Sequence, residues 1–280
     1  MQNQLFKIIR TGKQECNSCL FTFDRKSYNK PMKKLILISF IAILFVDCTP
    51  KKWVLTSATT TKIAIDSTLN GMADKDMIAF IQPYKQQLDK EMNQVVGYTT
   101  EEMRSGKPES LLSNWMADVY YEAGSDYLKK PVDFAVVNLG SLRTTLPKGN
   151  LTVENIFELM PFENELVLLE IKGSDADKLF QIFAKENGQG VSGVRFDIQD
   201  KKAVNITING KPLDENAIYT VATNDYLAGG NDRMTPLLNA IQKIDTGLKI
   251  RNLLMEKVIR ETQKGNPIHS ALDGRIKIIQ

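Results

Sequence analysis

Three stretches of this chain carry side chains suited to recognition chemistry. In VVNLGSLR an apolar run ends at Asn138, Gly140 follows, and Arg143 closes the turn. An Asn side chain offers both a donor and an acceptor, so it can read the edge of a heterocycle. The planar fork of a guanidinium binds oxyanions and hydroxyls. In MPFENE, Phe162 follows Pro161 and precedes acidic residues, a setting that leaves an aromatic ring partly exposed. In YTVATNDYLAGGNDRM a strand-like run feeds a glycine-containing turn that holds Tyr226, Gly230 and Asp232. Paired glycines let the backbone turn tightly and leave room for a ligand. An Asp after such a turn can accept hydrogen bonds from two vicinal hydroxyls, as on a ribose. No Gly-Lys-Ser/Thr follows, so the turn is not a P-loop. Taken singly each residue also has an ordinary reading, since an Asn at a strand end is most often a turn residue and a lone Phe is most often core.

Composition narrows the chemistry. The 280 residues hold 36 Lys and Arg against 33 Asp and Glu, a net charge of only +3, which gives no case for nucleic-acid binding. The single histidine, His269, lies in the turn-rich stretch KGNPIHSALDG and reads as a surface residue. A two-metal phosphatase centre or a histidine-rich zinc site needs several imidazoles. Cys16, Cys19 and Cys48 are the only cysteines, all near the start, and one C-x-x-C pair without a second falls short of a four-ligand zinc site.

The elements that would position the three stretches follow from hydrophobic period and capping. DKDMIAFIQPYKQQLDKEM reads as a helix with Met77, Phe80, Ile81, Tyr84 and Leu88 on one face, capped or kinked by Pro83. QVVGYT reads as a strand. KPESLLSNWMADVYYEAGSDYL reads as a helix with Pro108 in its first turn and Leu111, Leu112, Trp115, Met116 and Val119 in its core stripe. VDFAVVN is a continuous apolar strand suited to burial on both faces. A short helix begins after Thr152, ELVLLEIKG is a strand, and SDADKLFQIFAKEN is a helix with Ser174 as its N-cap. GVRFDIQ and AVNITING form a hairpin around DKK, YTVATND is a further strand, GLKIRNLLMEKVIRETQ a long helix and GRIKIIQ a last strand. Helices and strands alternate without strict βαβ order, which favours an α+β fold with mixed sheets.

The start of the chain reads as a targeting segment. From Met32, two lysines precede the apolar run Leu35–Val46 and then Cys48. That run is shorter than the roughly 20 residues a spanning helix needs, and it has the charged and apolar regions of a secretory signal. The Cys directly after it resembles a bacterial lipoprotein signal, with Cys48 as the lipidated residue, although Asp47 stands where a small residue is preferred. Residues 1–47 are then an upstream extension plus signal with Met32 as the working start, residues 48–75 a polar tether, and residues 76–280 the folded domain.

As a set, NLGSLR, LMPFENELV, GVSGVRFDI and NDYLAGGND resemble, in order and spacing, the C-terminal domain of bacterial 5'-nucleotidases and UDP-sugar hydrolases. KPESLLSNWMAD resembles the start of that domain, so the resemblance covers about residues 76–280. It implies a layered α/β/β/α domain with mixed β-sheets. It implies that Phe162 and Tyr226 sandwich a nucleobase, that Asn138 contacts the base, that Arg143 meets ribose or phosphate, and that Asp232 binds the ribose hydroxyls. Gly140, Gly230 and the backbone near Ser192 and Gly193 would line the site. The family's Gly-Gly-Ile-Arg is Gly-Ser-Leu-Arg here and its Gly-Gly-Asp is Gly-Asn-Asp, so Ser141 and Asn231 place side chains where glycines stand, and Asn tolerates left-handed geometry. The family's further Arg before the first helix has no clean counterpart in MRSGKPE. Full-length members carry a metallophosphatase domain with two metal ions, which this sequence is expected to lack. The expectation is therefore a nucleotide- or nucleoside-binding half with no catalytic residue and no cofactor of its own. A divalent-metal pair would sit on a separate metallophosphatase chain. The protein would lie in the bacterial cell envelope as a periplasmic or outer-membrane lipoprotein held to the membrane by its lipid. The alternative is an envelope lipoprotein that only binds nucleosides or is purely structural.

Overall fold

The computed structural model describes residues 57–58, 60 and 62–280. Met32, Cys16, Cys19, Cys48 and the apolar run before Cys48 lie outside the described residues. Residues 1–75 form one unit and residues 76–280 a second. In the first, the described part includes a short 3-10 turn at Ser67–Met72.

The helices are α1 (Lys75–Met92), all but its first residue in the second unit, and then α2 (Leu111–Leu128), α3 (Val153–Leu159), α4 (Gly173–Lys185), α5 (Asp225–Ala228) and α6 (Ile250–Gln263). The strands are β1 (Val95–Thr99), β2 (Phe134–Val137), β3 (Gly149–Thr152), β4 (Glu165–Lys172), β5 (Gly190–Ser192), β6 (Val194–Gln199), β7 (Lys202–Ile208), β8 (Lys211–Pro212), β9 (Ile218–Asn224), β10 (Gln242–Lys249) and β11 (Ile276–Ile278). A five-stranded mixed sheet runs in the order β10-β4-β9-β2-β5, and a four-stranded mixed sheet in the order β11-β6-β7-β8. The α+β class with mixed sheets is what the structure has.

The central sheet is buried on both faces, which is why β2 reads as an unbroken apolar run. Alternate residues point opposite ways. Ala135 and Val137 of β2 and Leu166 and Leu168 of β4 pack with Trp115 and Met116 of α2 and Leu254 and Val258 of α6. Phe134, Val136, Val167 and Leu169 face the other way, toward Phe180 and Phe183 of α4 and Phe196 and Ile208 of the second sheet. Phe180 meets Phe134 at 5.2 Å and Phe196 at 5.7 Å between ring centroids, so α4 locks the two sheets together.

Local signals explain most boundaries. Ser110 caps α2 through a reciprocal bond with Ser113, and Thr152 caps α3 with Asn155 in the same way. Asp200 and Lys201 both have positive φ, as a two-residue hairpin turn requires. Three expectations change. Pro108 lies two residues before the cap of α2 rather than in its first turn. Ser174 is inside α4: the first N–H groups of that helix, on Gly173 and Ser174, donate to the carbonyls of Ala217 and Glu215 instead of to a capping side chain. Pro83 sits within α1, whose Phe80, Ile81, Tyr84 and Leu88 are exposed.

Candidate functional site

The register of the central sheet brings four chain segments to one of its ends. Leu166 at the start of β4 pairs with Asn224 at the end of β9. Val137 at the end of β2 pairs with Gly190 at the start of β5, and Lys249 at the end of β10 pairs with Glu165. The loops leaving this end hold Phe162, Tyr226, Asn138 and Gln189. Ligands collect at such strand ends because loops there can vary while the sheet holds them in place.

Asp232 is the hub. Its Oδ2 accepts a hydrogen bond from Asn138 Nδ2 at 2.6 Å, and its Oδ1 accepts one from the Tyr226 hydroxyl at 3.0 Å. Two of the three sequence stretches thus meet at one carboxylate. Asn138 is only 4% exposed, and its Oδ1 is buried with no hydrogen-bond partner. A buried acceptor without a donor costs about 1–3 kcal/mol. A ligand N–H delivered there would recover that cost.

The third stretch supplies a ring. Phe162 and Tyr226 are 39% and 42% exposed, so neither is a core residue. Their loops are tied together by Asn164, whose side chain donates to Asp225 at 2.6 Å. Arg143 is exposed, with its guanidinium carbon 5.6 Å from the Phe162 ring centroid and Nη1 donating to the Gly140 carbonyl at 3.3 Å. A Cβ on Gly140 would come 3.8 Å from the Asp232 carboxylate, so the glycine turn lies directly beside it.

The backbone around Asp232 is held against its preference. Gly230, Asp232 and Arg233 have φ of 75°, 51° and 66°. The left-handed geometry therefore falls on Asp232 and Arg233, while Asn231 uses its side-chain amide to donate to the Tyr226 carbonyl at 2.8 Å. Left-handed geometry costs a non-glycine residue roughly 1–2 kcal/mol, and such strain persists where neighbours fix the chain.

Gln189 and Glu186, which no sequence signal singled out, contribute to that fixing. Gln189 is 6% exposed. Its Oε1 accepts the Leu139 N–H at 3.0 Å, and its Nε2 donates to Glu186 at 3.0 Å. Glu186 also accepts from Arg233 at 3.3 Å, so the pair links the Asn138 turn to the Asp232 turn. Replacing Gln189 by Leu strands the partly buried Leu139 N–H. Urea unfolding should show a loss of about 1–3 kcal/mol, whereas Glu186→Gln, which still offers Gln189 an acceptor, should cost less than about 1 kcal/mol.

Arg251 was likewise silent in the sequence. It stacks on Phe157 at 4.2 Å and pairs with Glu163, while Lys249 Nζ donates to the Glu163 carbonyl at 3.0 Å, and together they fasten the loop that carries Phe162.

Gly193 and Ser192 lie elsewhere. Ser192 pairs with Ala135, so Gly193 sits about 10 Å down the strand from the site end. A Cβ on Gly193 would fall 2.4 Å from the Asp133 carbonyl, and Ser192 Oγ donates to Asp118. Both hold the fold and do not line the site, which corrects the expectation for Gly193.

A separate hollow of about 540 Å³ lies between α2 and α6, lined by Glu122, Lys257, Arg260, Glu261 and Lys264 among others. Its Lys and Arg side chains are engaged by Glu122 and Glu261, so its charges serve one another. The sheet-end face, by contrast, holds a buried acceptor without a donor, and exposed aromatic rings on the loops around it.

The Asp232 carboxylate, through the hydrogen bond it accepts and through its charge, holds the Tyr226 phenol above its ordinary value. The neutral phenol is thereby favoured in the folded protein. What this lends to stability is present below about pH 10, the unfolded value, and is lost as pH rises through the folded one. In a phenolate difference spectrum between the native chain and Tyr226→Phe, this group should ionise above pH 10. In an Asp232→Asn background it should return toward 10.

The family model of the 5'-nucleotidase C-terminal domain matches residues 95–239, a span that includes all the residues of the sheet-end site from Asn138 to Arg233. Protein UshA of Yersinia enterocolitica is 26% identical over 212 residues, which are 72% of this chain and 36% of that protein. The NAD 5'-nucleotidase of Haemophilus influenzae is 26% identical over 193 residues, 57% of this chain and 31% of that one. Among solved structures, the 5'-nucleotidase precursor of Thermus thermophilus aligns with a TM-score of 0.62 at 26% identity, covering 75% of this chain and 45% of that one. The chain spans less than half the length of these relatives.

Proposed function

Because the chain belongs to the 5'-nucleotidase C-terminal domain family, we propose that its sheet-end face binds a nucleotide or nucleoside and completes a separate metallophosphatase chain in nucleotide hydrolysis and catabolism. The observation that carries this reading is the meeting of the Asn138 amide and the Tyr226 hydroxyl on Asp232, next to an exposed Phe162. In this reading the base lies between the Phe162 and Tyr226 rings, where stacking contributes about 1–3 kcal/mol per base. Asn138 Oδ1 accepts an N–H from the base edge. Asp232 accepts from the sugar hydroxyls, and Arg143 reaches the phosphate side.

Among the described residues no group of three or more His, Cys, Asp or Glu is placed to hold a metal ion. In this reading the metal pair and the attack on phosphorus belong to the partner, where metals would generate the nucleophile and neutralise charge on the phosphoryl group. This chain contributes orientation, fixing base and sugar so that the phosphate is presented in one place.

The reading also places the protein in the bacterial envelope, anchored through a lipid on Cys48. Among the described residues no helix is long and apolar enough to cross a membrane.

The test is hydrolysis of AMP by the purified chain alone, by a co-encoded metallophosphatase alone, and by the two together. Release of phosphate only from the mixture is expected. Hydrolysis by this chain alone refutes the division of labour. Calorimetric binding of adenosine and AMP with no hydrolysis in the mixture assigns the chain to capture of nucleosides instead.

A further inference from the structure

We infer that the Tyr226 hydroxyl competes with the sugar for Asp232, and that this residue sets how strongly the site prefers a sugar with vicinal hydroxyls. The inference rests on the binding reading above and adds a specificity-determining group to it.

A vicinal diol grips a carboxylate through two O–H donors, one to each oxygen. In this structure each oxygen of Asp232 already has a protein donor. Asn138 Nδ2 holds Oδ2 at 2.6 Å, and the Tyr226 hydroxyl holds Oδ1 at 3.0 Å. The two donors differ in what they can give up. Asn138 is buried at the end of β2, and its amide N–H has no other acceptor among the described residues. Tyr226 is 42% exposed and its hydroxyl can turn to water at little cost. The phenol is therefore the donor that a sugar hydroxyl displaces.

The ring and the hydroxyl of Tyr226 then have opposite effects on a ribonucleoside. The ring face adds stacking, and the hydroxyl subtracts from the diol's grip by occupying Oδ1 first. A phenylalanine keeps the face and drops the competitor. A net hydrogen bond is worth about 0.5–1.5 kcal/mol, which is about two- to tenfold in affinity. That gain should appear for ligands with the diol and be smaller for ligands without it.

The experiment is calorimetric titration of the native chain and of Tyr226→Phe with adenosine and with 2',3'-dideoxyadenosine, with thermal unfolding to show that both proteins fold. The expected result is that the ratio of adenosine to dideoxyadenosine affinity rises about two- to tenfold in Tyr226→Phe. In an Asp232→Asn background the same substitution should leave the ratio unchanged. A ratio that stays constant or falls in Tyr226→Phe overturns the inference while leaving nucleoside binding in place, since the hydroxyl would then be neutral or a direct sugar ligand. Failure of native chain and variant alike to bind adenosine or AMP overturns the binding reading itself, and this inference with it.

Discussion

Replacing both Phe162 and Tyr226 by alanine should abolish measurable binding of adenosine and AMP while leaving the fold intact. Each ring face is worth about 1–3 kcal/mol against a base, so losing both removes roughly 2–6 kcal/mol, or about 30-fold to more than 10⁴-fold in affinity. No other substitution at the site removes as much, because the polar partners also exchange hydrogen bonds with water. The folded state loses little: the rings are 39% and 42% exposed, and neither belongs to the two core clusters. Substitutions at such positions usually shift stability by less than about 0.5 kcal/mol. The single changes should differ in kind. Phe162→Ala also frees Arg143 from its place over the ring, and Tyr226→Ala also removes a donor from Asp232. Calorimetry on the double variant decides the matter: retained binding with an unchanged unfolding midpoint would mean that the base does not lie between these rings.

Asn138, Tyr226 and Asp232, which meet in the structure, were legible as parts of a set. Singly an Asn after a buried strand or an Asp after a glycine turn has an ordinary reading, and it was the order and spacing of the motifs together that gave these residues roles. Their support was not legible. Gln189 and Glu186 act through one buried amide and one shared carboxylate, an arrangement with no period and no characteristic spacing. Gly193 shows the complementary failure. It was placed near the site by the resemblance alone, and the pairing of Ser192 with Ala135 sets it about 10 Å along the strand from the end that carries Asn138.

The fold divides in the same way. Elements whose signal is local, such as the capped α3 and the Asp200–Lys201 hairpin, were read correctly. Strand β10 was missed because it is an edge strand of mostly polar and charged residues, and charge on an edge is how sheets avoid further pairing. The period of α1 announced an apolar face, but period alone does not say whether a face is covered, and its large side chains are exposed.

Arg275→Ala should destabilise the domain by about 2–4 kcal/mol, a large share of the roughly 5–15 kcal/mol that holds a typical domain together. The side chain is 10% exposed and ties its own loop to two elements, α2 and β5. Its Nη1 donates to the Val191 carbonyl of β5 and to Asp118 of α2, each at 2.8 Å, and its Nε donates to Asp273 at 3.0 Å. Breaking a buried pair costs about 3–5 kcal/mol, and the figure is lowered here because Asp118 and Asp273 are 40% and 36% exposed and stay partly hydrated. Burial pushes the Asp273 carboxyl up, but the Arg275 hydrogen bond and the Arg275 and Arg195 charges outweigh it and hold it below its ordinary value. The stability this supplies is present above about pH 4 and lost as pH falls through the folded value, so much of that acid-side loss should vanish in Arg275→Ala. Arg275→Lys, which keeps the charge but not the fork, should fall between the two. Urea midpoints at neutral and acid pH measure all three proteins. The same clamp holds β5, and β5 begins beside Gln189, whose side chain fixes the Asn138 turn. Nucleoside affinity should therefore weaken in Arg275→Ala even where the domain is still folded. An unchanged urea midpoint would show that β5 is held without the arginine, and an unchanged affinity in a destabilised variant would show that the site does not depend on that strand.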